Sequence, residues 1–267
     1  MTFNSMLIFG CGNMGGAMLA GWLAGGIAPQ AFTVVDPFLP EAPAGVRLLR
    51  ELPATGSFDA VLLGVKPQLL DDVAPVLAPL LGAETVLFSI LAGVELDSLA
   101  ARFGGAGALV RIMPNLAAAI GKSPIALFDR GLDDAGRQAV TALMAPLGTP
   151  EWLAAEAEFD LVTALAGCGP GFVYRFIDAL AVGAAALGLD PAQAERLAVA
   201  TVEGAAQLAA ASPHSPAELA RRVASPGGST QKGLDVLDAD RALLRLIEAT
   251  LRASRDRNAE MAAAARG

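Results

Sequence analysis

Short apolar runs alternate with helical stretches through the first half of the chain. Met6–Phe9 is wholly apolar, and a helical pattern then runs to about Ala24. Further apolar runs at 32–36, 58–65, 85–93, 108–115, 124–130 and 149–154 read as buried strands. Helical spacing fills 67–81, with Pro67 near its start, and then 95–103 and 133–148. This rhythm predicts an α/β fold with a parallel, doubly wound, Rossmann-type sheet. It stops near residue 155. Beyond it the spacing is helical throughout, with an interruption expected at Gly167–Pro170. Asp190-Pro191 and Ser215-Pro216-Ala217-Glu218 read as helix starts, the second as a capping box. A last helix is expected from about Asp240 to Ala262. The chain thus divides into 1–156 and an all-helical 157–267. The second-half helices are apolar over wide faces and rich in small residues. Such faces belong either to an internal core or to a helical dimer interface, and the pattern leaves both open.

Composition narrows the function classes. The chain has 267 residues, 54% of them hydrophobic, enough for a sizeable core. Its formal charge is -8, so it lacks the basic footprint of a nucleic-acid binder. Two cysteines, Cys11 and Cys168, sit in no CxxC or Cys/His cluster, and no metal site is expected. The single histidine, His214, lies in "SPHSP" and reads as a solvated loop residue. The longest apolar stretch, near Ala179–Leu189, is shorter than the roughly 20 residues of a membrane span. The first basic residue is Arg47, so no charged leader region is seen, and a cytoplasmic protein without a membrane partner is expected.

The first strand runs into Gly10-Cys11-Gly12-Asn13-Met14-Gly15, a GxGxxG that opens a helix. The next strand ends at Asp36, about 20 residues on, where a dinucleotide fold places a ribose-binding acid. Gly10 allows the tight turn, Gly12 admits a pyrophosphate and Gly15 lets helix and strand pack closely. The N–H groups of the helix start, with Asn13 and Met14, then face the phosphates. These residues and Asp36 are the cofactor-binding candidates for 1–156. A carboxylate at 36 suits the 2′-OH of NAD and repels the 2′-phosphate of NADP. No Lys or Arg lies between Asp36 and Arg47 to offset it. The expected cofactor is NAD(P)H, leaning to NADH.

Several phrases together resemble the pyrroline-5-carboxylate reductase family. They are "VKPQ" (65–68), "SILAG" (89–93), "RIMPN" (111–115), "GCGPGFVYRFIDAL" (167–180) and "SPGGSTQKGLDVL" (225–237), in family order over roughly residues 5–258. The resemblance implies a dinucleotide-binding domain followed by a helical domain that dimerises, with rings of dimers in some members. It implies hydride transfer from NAD(P)H to the C=N bond of 1-pyrroline-5-carboxylate, the last step of proline biosynthesis. It places Val65, Lys66 and Pro67 by the cofactor and makes Asn115 a candidate for orienting the nicotinamide. The backbone N–H groups of Ser229 and Thr230, beside Gly228, would hold the substrate carboxylate, as helix termini do. The Thr230 hydroxyl would hydrogen-bond the ring nitrogen, which makes it the catalytic candidate. A plain turn with Ser229 as helix cap is the competing reading.

Departures from the family pattern are also present. Family members read Ser-Gly-Ser-Gly-Pro-Ala-Tyr where this chain has Ala166, Gly167, Cys168, Gly169, Pro170, Gly171 and Phe172. Cys168 is a candidate donor in serine's place, or a small buried hydrophobe. Asn115 is followed by Leu116 and Ala117 rather than Thr-Pro. Two alternatives therefore stand beside the reductase: a reductase of another cyclic imine, and a non-catalytic nicotinamide-binding regulatory protein. A β-hydroxyacid dehydrogenase needs a helix lysine, and none occurs from 160 to 220.

Overall fold

The computed structural model describes residues 3–266. Among them, β1 (Met6–Phe9), β2 (Phe32–Val35), β3 (Arg47–Leu49), β4 (Ala60–Leu63), β5 (Val86–Ser89), β6 (Ala108–Met113), β7 (Ser123–Arg130) and β8 (Gly148–Trp152) form one sheet. Its order is β3-β2-β1-β4-β5-β6-β7-β8. Strand order reverses between β1 and β4, the switch point at which such sheets bind ligands.

Every pair from β3 across to β6 is parallel, but β7 runs antiparallel to β6. The sheet is therefore mostly, not wholly, parallel. Residues 114–122 alone join β6 to β7, too few for a crossover helix, so the chain doubles back. β8 then pairs parallel with β7. Strand β3 was not expected. It is three residues long, follows a proline-rich loop, and is too short to show a period of its own.

Helices cover both faces of the sheet. Met6, Ile8, Phe32, Val34, Leu62, Phe88 and Val110 pack with α1 (Asn13–Ala24) and α4 (Asp134–Met144). Leu7, Val35, Val61, Leu63, Leu87 and Leu109 face α2 (Leu70–Leu77) and α3 (Leu96–Arg102). Near-continuous apolar strands follow from this double burial. Trp22 of α1 donates its indole N–H to Leu143 O at 2.8 Å, satisfying the one polar atom it carries into the core.

Past β8 come α5 (Phe159–Val162), α6 (Gly169–Ala186), α7 (Pro191–Ala211), α8 (Pro216–Val223), α9 (Ser229–Asp238) and α10 (Ala242–Arg266). The expected break at 167–170 is instead a widened π turn over Thr163–Gly167. Cys168 N donates to Thr163 O at 2.8 Å, one residue beyond the α-helical spacing. Asp190 and Ser215 cap their helices as the sequence suggested, accepting from Gln193 N and Glu218 N.

The chain divides into two compact units, Met1–Cys168 with Ser254–Gly267, and Gly169–Ala253. In the first unit the end of α10 is tied back to the chain before Cys168. Buried Asn258 donates to Asp160 O at 3.2 Å, and Ser254 Oγ lies 3.4 Å from Cys168 Sγ. In the second unit α6 and α7 pack through Ala181, Ala194 and Ala198, while Val173, Tyr174, Phe176 and Val182 remain exposed. By length and composition alone, the helical run Glu156–Ala186 also meets the criteria of a membrane span. It does so because a helix tolerates Arg175 and Asp178 where an uninterrupted apolar run would not. One such run is weak grounds for a membrane.

Arg111 of β6 is buried, 4% exposed, and its charge is met by Glu156 Oε1 at 2.7 Å and by the Phe159 ring at 4.2 Å. Glu156 Oε1 also accepts from Leu96 N at the start of α3. Removing a buried ion's partner is costly. Glu156→Ala should therefore lower unfolding free energy by about 3 kcal/mol in urea denaturation. A loss below about 1 kcal/mol would mean that water replaces the carboxylate.

Candidate functional site

The glycine turn stands at the switch point. Gly10 has φ +89, a conformation open mainly to glycine. A Cβ on Gly10 would come within 2.8 Å of Gly64 O, and one on Gly15 within 2.7 Å of Gly10 O. The two βα turns at the ends of β1 and β4 therefore touch backbone to backbone. Gly12 is different. Nothing lies within 4 Å of where its Cβ would stand, so space for a phosphate group is open. Gly12 is also the N-cap of α1, with no side chain bonded to the helix start. The first intrahelical bond is Gly16 N to Gly12 O at 2.8 Å, so the N–H groups of Asn13, Met14 and Gly15 have no acceptor within the helix. Unpaired N–H groups, a positive helix end and an open cradle together fit a dinucleotide pyrophosphate. Val65, Lys66 and Pro67 follow Gly64 directly, with exposed Lys66 as the N-cap of the short turn Pro67–Leu69.

Asp36 is 9% exposed, and its carboxylate is largely engaged by the protein itself. Oδ2 accepts from Cys11 N at 2.8 Å, and Oδ1 accepts from Phe38 N at 2.8 Å and Leu39 N at 3.1 Å. The acid thus joins the glycine turn to the loop after β2. Arg50, at the end of β3, lies against that loop. Its Nη1 donates to Asp36 O at 3.1 Å and to Leu39 O, and its Nη2 donates to Pro40 O at 3.1 Å. The register of β3 explains this, since Leu49 pairs with Val35 and the next residues on both strands are Arg50 and Asp36. The five residues "VRLLR" (46–50), three of them apolar, were the available signal.

Asn115 is buried at the end of β6. Its Nδ2 donates to Ala166 O at 2.9 Å, and its Oδ1 accepts from Ala117 N at 2.9 Å. The side chain thus caps the turn Leu116–Ile120 and holds the Ala166 carbonyl of the π turn that leads to Cys168. Cys168 is half-buried, its sulfur beside Ser254 Oγ.

In the second unit, Gly227 has φ +73 and Gly228 is the N-cap of α9, without a side-chain cap bond. Ser229 is therefore the first helical residue and not the cap. The first intrahelical donor is Lys232 N, to Gly228 O at 3.1 Å, which leaves the N–H groups of Ser229, Thr230 and Gln231 without helical acceptors. The geometry gives a short row of polarised donors next to the Thr230 hydroxyl. His214 lies 3.4 Å from Glu218 Oε1 in an ordinary surface pair, and no cluster able to hold a metal occurs among the described residues.

Residues 156–261 match the family model described as pyrroline-5-carboxylate reductase dimerisation. A pyrroline-5-carboxylate reductase of Pseudomonas aeruginosa is 33% identical over 272 residues, covering 98% of both chains. The chain belongs to the pyrroline-5-carboxylate reductase family. A solved pyrroline-5-carboxylate reductase from Coxiella burnetii superposes with TM-score 0.88 at 28% identity, over 97% of this chain and 98% of that one. The Plasmodium falciparum pyrroline carboxylate reductase, solved with NADP bound, shares the fold with TM-score 0.83 at 22% identity, over 98% and 100% of the two chains.

Among the described residues, Cys11 is the one titratable group strongly shifted. Burial, then the negative charge of Asp36, push its thiol up from 9.0 to about 11. The folded state thus keeps the proton longer than the unfolded one does. That contribution to stability is complete below pH 9 and is lost as pH rises toward 11. At pH 8 the thiol is neutral and enclosed, so maleimide should leave Cys11 unmodified in the folded protein and label it in urea. Peptide mass mapping checks this. Labelling of Cys11 under native conditions would contradict the buried placement.

Proposed function

We propose that this protein reduces the C=N bond of 1-pyrroline-5-carboxylate to give L-proline, using NADH or NADPH. The main support is family membership over nearly the full chain, joined to the uncapped start of α9. When bound, the reduced nicotinamide supplies the hydride. Gly10, Gly12, Asn13, Met14 and Gly15 hold its pyrophosphate, with Val65, Lys66 and Pro67 along the adjoining turn. The negative charge of Asp36 at the end of β2 tilts the choice toward NADH.

The substrate is an anion in a protein of net charge -8, so it needs a local site. The N–H groups of Ser229 and Thr230 bind its carboxylate beside Gly228, and the Thr230 hydroxyl hydrogen-bonds the ring nitrogen. Cys168 and its neighbours form the wall that Asn115 supports. An imine is already electrophilic when protonated, so these residues act chiefly by orienting it and excluding water. Residues 157–267 form the substrate and dimerisation domain. The active form is a homodimer, open to further assembly into a ring of dimers. An alanine-lined core leaves the large apolar side chains of α6 facing outward, and a second copy covers them. The free thiols Cys11 and Cys168 suit the reducing cytoplasm.

Loss of absorbance at 340 nm on mixing protein, pyrroline-5-carboxylate and either reduced cofactor is the direct test. Turnover only with a different cyclic imine would favour the second reading, which the hydroxyl-poor Ala166–Phe172 segment supports. Thr230→Ala should lower kcat/KM for the imine by about 10–100-fold, the cost of one hydrogen bond to a charged group, with cofactor KM nearly unchanged. An equal rise in both KM values would move Thr230 out of the substrate site.

A further inference from the structure

We infer that Arg50 is a specificity-determining residue for the dinucleotide, through which the protein accepts a 2′-phosphate despite Asp36. The inference rests on reading the glycine turn as the cofactor site. It deepens that reading at the ribose end. A lone acid at the end of β2 should exclude NADPH by charge repulsion. Here the acid is not alone, because the β3 register sets a guanidinium against the same loop.

The two side chains divide the loop's backbone between them. Asp36 collects three N–H groups, from Cys11, Phe38 and Leu39. Arg50 collects three carbonyls, from Asp36, Leu39 and Pro40. The loop is thereby fixed, and the Asp36 charge is drawn inward, away from the solvent side. Arg50 itself is exposed, whereas Asp36 on the same loop is buried. Its carbonyl bonds use both Nη1 hydrogens and one on Nη2. Among the described residues Nε has no hydrogen-bond partner. Nε–H and the remaining Nη2–H are donors on neighbouring nitrogens, the pairing that takes a phosphate bidentately. Dinucleotides lie across the carboxyl ends of the strands, with the adenosine ribose at the end of β2. A 2′-phosphate there would find an exposed guanidinium on the same loop as the buried acid.

Arg50→Gln and Arg50→Lys test this in the full-length protein. The first readout is binding of 2′,5′-ADP against 5′-ADP by calorimetry, which needs no turnover. The second is KM for NADPH against NADH. Arg50→Gln should weaken 2′,5′-ADP binding and raise KM for NADPH by about ten-fold, leaving the 5′-ADP and NADH values within about two-fold. Arg50→Lys, which keeps the charge but not the fork, should fall between. An equal loss for both ligands would reduce Arg50 to a loop strap and overturn the inference, as would no change in either. If the unmodified protein binds 5′-ADP but not 2′,5′-ADP, the inference fails while the cofactor site stands. Binding of neither would sink both.

Discussion

One carbonyl oxygen governs the middle of the sheet. Gly10 O occupies the space that a Cβ on Gly15 or on Gly64 would need, the first at 2.7 Å and the second at 2.5 Å. That contact lets α1 start directly over the end of β1 and lets the β4 turn close against it. Everything proposed for the cofactor follows from it. The helix end is aimed into the switch-point crevice, the Gly12 cradle stays open, and Cys11 N is brought to Asp36. The rest of the first unit supports this geometry by burying strands on both faces. The arrangement is stiff because its closest contacts are between main-chain atoms, which cannot rotate away as side chains can.

The second unit is organised on the opposite principle. Its helices meet through alanines, which allow close approach but bury little area each. Large apolar residues such as Val182 and Tyr174 are left outward. A domain so built has little core of its own, and its stability depends on what covers that surface. The family model matching this region is named for dimerisation. The uncapped start of α9 is a second unfinished feature. Its donors have no helical acceptor, which suits a place that must receive an anion and release it again.

Much of this was legible in the sequence, and the omissions have physical causes. Runs such as Met6–Phe9 and Ala60–Leu63 announced themselves because burial on both faces leaves no polar interruption. The helix starts at Asp190 and Ser215 were legible because capping chemistry is local. Strand β3 was hidden by its shortness, and with it went Arg50, whose importance lies in a cross-strand register and not in its neighbours. The reversal at β7 was hidden because an apolar run does not reveal its direction. The π turn at Thr163–Gly167 leaves only the Gly167–Pro170 interruption visible in the pattern, since one extra residue in a turn looks like a break in period. Asn115 was visible in "RIMPN", but its bond to Ala166 O spans 51 residues and no local pattern encodes it.

The path of the chain has a further implication. It leaves the first unit after Cys168 and comes back at Ser254, so Gly169–Ala253 is spliced into its host at two points. A single cut in the second unit would leave both pieces tethered. A fragment ending at Cys168 would look like a complete nucleotide domain on paper, yet it would lack Asn258 and the carbonyl at Asp160 would lose its donor. The first unit is thus built from both ends of the chain around a continuous insert, and it cannot be isolated by simple truncation.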